Sequence, residues 1–420
     1  MKNSIAAIIL AAGKGERMKS DKPKVLHEVA CRPMLGYVLD LVKQLRIKRY
    51  VVVVGYQYQQ VKAFLPASAS VAIQRNILGT ADAVKQALPL LSGFRGTVIV
   101  LYGDNPLLKP DTVKKLIAHH TETKAAATLL TAQMDKPDGY GRILRDSYDV
   151  ICGIVEDKDA DEYQKTIKEI NTGILCFERE KLARYIKRIK PNNAKKEYYL
   201  TDIIEMLYKD EYVVESIKAD DPKEVMGVNS RVELAYANKI MQQRIQENLM
   251  KNGVTIVDPD STFISWDAKI GTDTVIYPFT VIEKDVKIGS HCSVGPFARL
   301  RPGTRLDDFV TVGNFIEISR TKIASGSRAK HFGFLGDARL GHSVNIGAGT
   351  VTANYDGKHK NTTIIKDKAF IGSDTVLVAP VVVGKQARTG AGSVVTRNKN
   401  VDDFTTVVGV PAKPIKTKMR

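Results

Sequence analysis

The 420-residue sequence contains no run of about 18 apolar residues, so no membrane-spanning helix is expected. Its four cysteines, Cys31, Cys152, Cys176 and Cys292, lie far apart and form no CxxC pair. That excludes a local zinc motif and fits the reduced thiols of a cytoplasmic protein. No RNP motif, zinc-finger spacing or basic arm accompanies the net charge of +17, and the Lys and Arg residues are spread along the chain. This surplus suits small phosphorylated substrates, and no nucleic-acid partner is expected. The Walker GxxxxGK[ST] and Rossmann GxGxxG spacings are also missing. Hydrophobic content of 44% and charged content of 26% are ordinary for a soluble globular protein. The length suggests two or three domains.

Ile5-Ala-Ala-Ile-Ile-Leu10 superficially resembles a signal-peptide core. It is short and runs straight into a Gly-rich loop with charged residues, so it reads as a buried first strand. Tyr50–Val54 and Thr97–Tyr102 read as further buried strands, with a helical pattern over Val38–Leu45. Strands alternating with helices predict a mostly parallel sheet covered on both faces. Ligands bind such sheets at the carboxyl ends of strands. Gly13, Gly15 and Asp104 all fall there. The two glycines let backbone N–H groups approach phosphate oxygens as an anion-binding nest.

Residues 230–250 contain no Gly or Pro and open on Ser230-Arg-Val-Glu233, a capping pattern, so they read as a linking helix. Asn252-Gly253 ends it. From about Ile270 to Val395 an aliphatic residue then opens each sixth position, often followed by Gly. Ile270-Gly-Thr-Asp-Thr-Val, Ile346-Gly-Ala-Gly-Thr-Val and Ile371-Gly-Ser-Asp-Thr-Val are examples. Three such hexads make one triangular coil of a parallel β-helix, each coil burying its aliphatic ladder against the next. The phase slips near Ile323 and Leu335, where His331 lies, and breaks again at Thr352–Lys360. A loop leaving a rigid scaffold is a common place for a site.

Leu10-x-x-Gly13-x-Gly15-x-Arg17-Met18 followed by Pro23-Lys24 resembles the sugar-nucleotide pyrophosphorylase signature. Gln74, Gly79-Thr80, Tyr102-Gly103-Asp104, Gly139-Tyr-Gly141, Glu156, Asn171-Thr-Gly173, Tyr198-Tyr-Leu-Thr-Asp202 and Gly227-Val-Asn229 follow in that family's order. With the hexapeptide tract they resemble, over essentially the whole chain, the bacterial bifunctional family that joins an N-acetylglucosamine-1-phosphate uridylyltransferase to a glucosamine-1-phosphate N-acetyltransferase.

The resemblance implies an α/β Rossmann-like nucleotidyltransferase domain over 1–229, a linker helix over 230–251, and a left-handed β-helix acetyltransferase domain over 252–420, working as a cytoplasmic homotrimer. Leu10, Ala11, Ala12, Gly13, Arg17, Lys24, Gln74, Gly79, Thr80, Tyr102 and Gly103 would bind UTP, with Gln74 and Gly79-Thr80 on the uracil ring. Gly141, Glu156 and Asn171 would hold the sugar. Asp104 and Asn229 would supply oxygens to Mg2+, a hard ion that takes few protein ligands.

In the second half, the resemblance implies that His331 is the base and that Glu317 orients it. Arg301, Asn345 and Lys360 would bind the aminosugar phosphate. Ala348, Asn354, Tyr355, Ser373 and Ala391 would bind acetyl-CoA. Three departures stand out. Glu16 replaces a common Thr, Ser319 replaces a phosphate-binding Lys, and Phe334 replaces a Tyr three residues after the base. Hydrogen bonds to charged groups contribute roughly 1.5–3 kcal/mol each, so the last two changes weaken phosphate binding by about two to four decades unless Arg320 substitutes. A uridylyltransferase whose β-helix acetylates another amino sugar, or serves only as a trimerisation scaffold, stays open from the sequence.

Overall fold

A computed structural model describes residues 4–415. The chain divides into two compact units, Met1–Lys239 and Ile240–Arg420. The helix Arg231–Lys251, which the sequence reads as a linker, contains the division.

The first unit is built on β1 (Ile5–Ala11), β2 (Arg49–Val54), β3 (Ser70–Ile73), β4 (Thr97–Tyr102), β5 (Ala127–Gln133), β6 (Glu169–Glu178) and β7 (Val214–Lys218). Their order across the sheet is β7-β5-β6-β4-β1-β2-β3. Only β6 runs antiparallel to its neighbours along this path. Alternate residues of β1 enter different cores: Ala6, Ile8 and Leu10 join one, and Ala7, Ile9 and Ala11 the other. A strand buried on both faces needs an unbroken apolar run, which is why this segment looks like a leader peptide. The carboxyl ends of β1 and β4 deliver Ala12-Gly13 and Gly103-Asp104 to one edge, where the Gly103 N–H donates to Leu10 O at 2.9 Å.

The second unit is a hexapeptide β-helix with three parallel sheets, one to each face of its coils. Val275 pairs with Ser293, and Ser293 with Thr311, eighteen residues on each time. Thr311–Arg328 and Arg328–Asn345 are seventeen apart, and Asn345–Phe370 is twenty-five. Both seventeen-residue coils lose their residue at the same corner. There Ile316–Ser319 and Gly333–Gly336 form four-residue strands, and the chain turns through Arg320 and Asp337, each with positive φ. This corrects the expectation that His331 itself sits in a phase break. Arg328 precedes Phe334 by six residues, as Ser293 precedes Arg299, so His331 stands on a regular corner between the two shortened ones. The longer coil carries the Thr352–Lys360 excursion, closed by a bridge between Tyr355 and Lys360.

Within this unit the helix closes the first coil. Gln242 donates to Ile264 O at 2.8 Å and accepts from Ile264 N at 2.9 Å. Gln246 donates to Pro259 O and Thr262 O at 3.0 and 2.7 Å. These amides stand in for the ladder that a preceding coil would supply. At the other end Lys413–Ile415 pairs antiparallel with Thr406–Val408, reversing the direction of every earlier pairing in the stack.

Candidate active sites

Two cavities share one edge of the first unit. The smaller, about 200 Å3, is lined by Leu10, Ala11, Ala12, Gly13, Lys24, Gln74, Gly79, Thr80, Tyr102 and Asp104, all expected nucleotide-site residues. The larger, about 510 Å3, is lined by Gly15, Arg17, Lys24, Glu156 and Asn229, together with Lys158, Lys195 and Tyr199. Lys24 lines both, so the cavities meet at its side chain.

The glycines differ in purpose. A Cβ on Gly13 would meet nothing within 4 Å, so its bare face is open space. Gly15 has a φ of 67°, and a Cβ there would come within 2.6 Å of Lys24 Cβ. Its absence lets Lys24 lie against the turn. The Glu16 side chain is 77% exposed and pairs with Lys14 at 3.1 Å, and Glu16 also lines the larger cavity, so the departure at this position lies at the site with its carboxylate engaged by Lys14.

The Lys24 ammonium donates to an Asp104 carboxylate oxygen and, at 2.9 Å, to Asn229 Oδ1. Two oxygens from opposite ends of the unit therefore converge on one cationic centre. A carboxylate and an amide oxygen are the hard donors that Mg2+ takes, so the residues fit that ion. Among the described residues no cluster of three or more His, Cys, Asp or Glu competes for the role. Asn229 is fixed from behind by Glu233, whose Oε2 accepts from the N–H groups of Asn229 and Ser230 at 2.6 and 2.8 Å. The Ser230–Glu233 capping box is present, but its second duty, holding Asn229, goes unread in the sequence.

Gly141, Glu156 and Asn171 come together. Asn171 N–H donates to Gly141 O at 2.8 Å, and a Cβ on Gly141 would lie 3.5 Å from the Glu156 carboxylate. Burial pushes the Glu156 carboxyl upward, opposed by the Thr201 hydroxyl and Lys195. Burial, with the neighbouring charges of Glu156 and Asp104, also pushes the Tyr102 phenol far up, so it stays neutral. Lys195 and Lys158 are lining residues that motif reading missed, whereas Tyr199 falls within the Tyr198–Asp202 motif. Two lysines in a charge-rich stretch carry no signal of their own in a chain this basic.

In the second unit the expected residues form three groups. His331, Asn345, Ala348, Ser373 and Ala391 line one cavity of about 530 Å3 with Lys330 and Phe370. Arg301 and Glu317 form an ion pair at 2.7 Å. The third group centres on Asp337. Arg320 donates to both its oxygens, at 2.6 and 2.9 Å, and Asn354 Nδ2 also donates to it. Against the upward push of burial, Arg320, Asn354 and Lys360 hold the Asp337 carboxyl below its usual range.

The expected Glu317–His331 contact is not made. Glu317 is engaged by Arg301, while His331 is exposed and has no hydrogen-bond partner among the described residues. Arg320 is committed to Asp337 and to the Ser319 hydroxyl, at 2.8 Å, rather than free to replace the missing Lys. A Cβ on Gly336 would meet both the Phe334 ring and Asn354 Nδ2 within 2.7 Å, so ring and amide meet over that bare position. Tyr355 is 62% exposed, its hydroxyl donating to Gly357 O at 2.6 Å, and lies outside the cavity.

Comparison with known proteins agrees with this division. A MobA-like NTP transferase domain matches residues 7–183, and a bacterial transferase hexapeptide model of six repeats matches residues 267–302. The Bifunctional protein GlmU of Geobacillus sp. (strain WCH70) is 45% identical, the match covering 93% of this chain and 92% of that protein. Its namesake from Pelotomaculum thermopropionicum is 48% identical over 90% of each. That of Trichlorobacter lovleyi is 44% identical over 95% of each. The chain belongs to the GlmU family of bifunctional enzymes, in which a uridylyltransferase and a hexapeptide acetyltransferase on one polypeptide carry out UDP-N-acetylglucosamine synthesis.

Proposed function

We propose that the two cavities of the first unit seat UTP and N-acetylglucosamine 1-phosphate, with Asp104 and Asn229 as the ligands of Mg2+. The observation that carries this is the Lys24 ammonium, which touches both oxygens where the cavities meet. Gln74, Gly79 and Thr80 take the base, and Gly141, Glu156 and Asn171 the acetamido sugar. Arg17, Lys24 and the Gly13–Gly15 amides hold the phosphates. A sugar-phosphate oxygen then attacks the α-phosphorus of UTP in line, and the bond to the pyrophosphate oxygen breaks. Bound Mg2+ supplies charge neutralisation, while positioning supplies most of the rest.

In the second unit the amine of glucosamine 1-phosphate attacks the thioester carbonyl of acetyl-CoA. His331 accepts the proton lost by the amine, and CoA leaves as the thiol after reprotonation. In this reading Arg301 exchanges Glu317 for the sugar phosphate, which frees Glu317 to receive the imidazole N–H. Residues 1–229 carry the first activity and 252–420 the second. Tyr355, Lys360 and the 530 Å3 cavity belong to one site completed between chains of a homotrimer. Four free cysteines, and the absence of any helix long and apolar enough to cross a membrane among the described residues, suit a cytoplasmic location.

The test uses the full-length protein and two assays. Asp104→Ala loses Mg2+-dependent pyrophosphate release from UTP and keeps CoA release from acetyl-CoA with glucosamine 1-phosphate, and His331→Ala does the reverse. Full pyrophosphate release by Asp104→Ala overturns the metal assignment, and full CoA release by His331→Ala overturns the base.

A further inference from the structure

Gln74 is 2% exposed and sits where β3 ends, its N–H donating to Val54 O at 2.8 Å. A primary amide has two N–H donors on one side and an acceptor oxygen on the other. Both donors are used. Nε2 donates to Gly79 O at 3.0 Å and to Asp82 Oδ2 at 2.8 Å. A carbonyl and a carboxylate only accept. Turning the amide over would press three acceptors together, so Nε2 must face them and Oε1 must face away. Among the described residues Oε1 accepts nothing, yet it is not a sealed, unpartnered buried atom. The cavity that Gln74 lines gives it its opening.

Asp82 lies in the first turn of the helix Thr80–Ala87 and is itself held, its Oδ1 accepting from Gln86 Nε2 at 3.1 Å. Gln86 is exposed and steadies the carboxylate from the solvent side. The chain Gln86–Asp82–Gln74 thus transmits a fixed polarity from the surface to the base pocket.

We propose that Asp82 is the positioning residue for nucleotide choice: it locks Gln74 with its carbonyl oxygen toward the base, committing that point to a ring N–H. Uracil presents an N–H at N3, and cytosine presents a lone pair there. This rests on the reading that Gln74 faces the base of UTP. Asp82 touches no substrate and acts only through Gln74. Without it the amide keeps one acceptor, Gly79 O, and can turn so that an N–H meets cytosine.

The experiment measures kcat/KM for UTP and for CTP, with N-acetylglucosamine 1-phosphate and Mg2+, for full-length wild type, Asp82→Ala, Asp82→Asn and Gln74→Met. A charge-assisted hydrogen bond contributes roughly 1.5–3 kcal/mol. The UTP-to-CTP ratio is therefore expected to fall at least about tenfold in Asp82→Ala. Asp82→Asn can still present an oxygen to Nε2 and recovers most of the ratio, while KM for the sugar phosphate does not move. If Asp82→Ala lowers both nucleotides equally and leaves the ratio intact, Asp82 only supports the fold and the proposal is wrong. If Gln74→Met leaves the ratio intact, the underlying reading of Gln74 fails instead. Should Asp82→Ala not fold, the ratio in Asp82→Glu, which keeps the charge but misplaces it, decides: an unchanged ratio overturns the proposal.

Discussion

Replacing Lys24 by Met tests whether an internal ammonium holds the place of the metal. The two side chains have similar length, but Met cannot donate. In the structure the Lys24 and Asp104 side chains are 14% and 12% exposed, so the pair is nearly removed from water. Removing one partner of a buried pair typically costs about 3–5 kcal/mol, because the remaining charge stays unpaired. Lys24→Met is therefore expected to destabilise the metal-free protein by about 3 kcal/mol. Mg2+ restores much of that loss, since a ligand that binds only the folded state stabilises it by mass action. In wild type, Mg2+ must first displace hydrogen bonds to Asp104 and Asn229. One charge-assisted bond contributes roughly 1.5–3 kcal/mol, so nucleotide-free Lys24→Met should bind Mg2+ about tenfold to a hundredfold more tightly. The assay is thermal unfolding across a Mg2+ titration, without nucleotide, with Asp104→Ala as the blank. Equal Mg2+ stabilisation of wild type and Lys24→Met would refute the reasoning.

In the second unit, Phe334→Tyr adds one hydroxyl beside Asn354. KM for glucosamine 1-phosphate should fall by about tenfold to a hundredfold with kcat unchanged, a hydrogen bond to phosphate being worth roughly 1.5–3 kcal/mol, and an unmoved KM would show that the ring does not face the phosphate. His120 is 3% exposed with Nδ1 2.8 Å from Thr128 Oγ1, and burial, then neighbouring His119, depresses its imidazole to about 4. The unfolded chain binds the proton more readily between that value and the ordinary 6.5, so this stability is present above pH 6.5 and is lost as pH falls toward 4. His120→Gln should remove about 2–3 kcal/mol of the loss between pH 7 and 4.5, read as the urea midpoint of the N-terminal domain at both pH values; parallel pH slopes for the two proteins would contradict it.

Both folds were legible in the sequence because each has a rigid period. A strand buried on both faces has to be apolar throughout, and a coil of three hexads has to repeat its aliphatic ladder. The convergence of the residues expected to bind nucleotide was legible through the family resemblance, and strand ends account by themselves only for Gly13, Gly15 and Asp104. What stayed hidden depends on side-chain pairing across the fold. Nothing in the string Ala81-Asp82-Ala83 says that Asp82 reaches Gln74, or that Glu233 steadies Asn229 as well as capping a helix. The same holds for Arg320, a free cation on paper and a bidentate partner of Asp337 in the fold. The phase slips were visible, but their place at Arg320 and Asp337 required the register of the paired strands.

The two ends of the β-helix bear on solution behaviour. A coil edge offers a row of unpaired N–H and C=O groups, and identical coils are natural partners for one another. Gln242 and Gln246 fill that row at the first coil, and the reversed strand Lys413–Ile415 interrupts the parallel register at the last. Together they act as chain terminators. On the edges they occupy, they oppose continuation of one molecule's coils into the next, so end-to-end stacking would have to proceed without the hydrogen bonds at those positions.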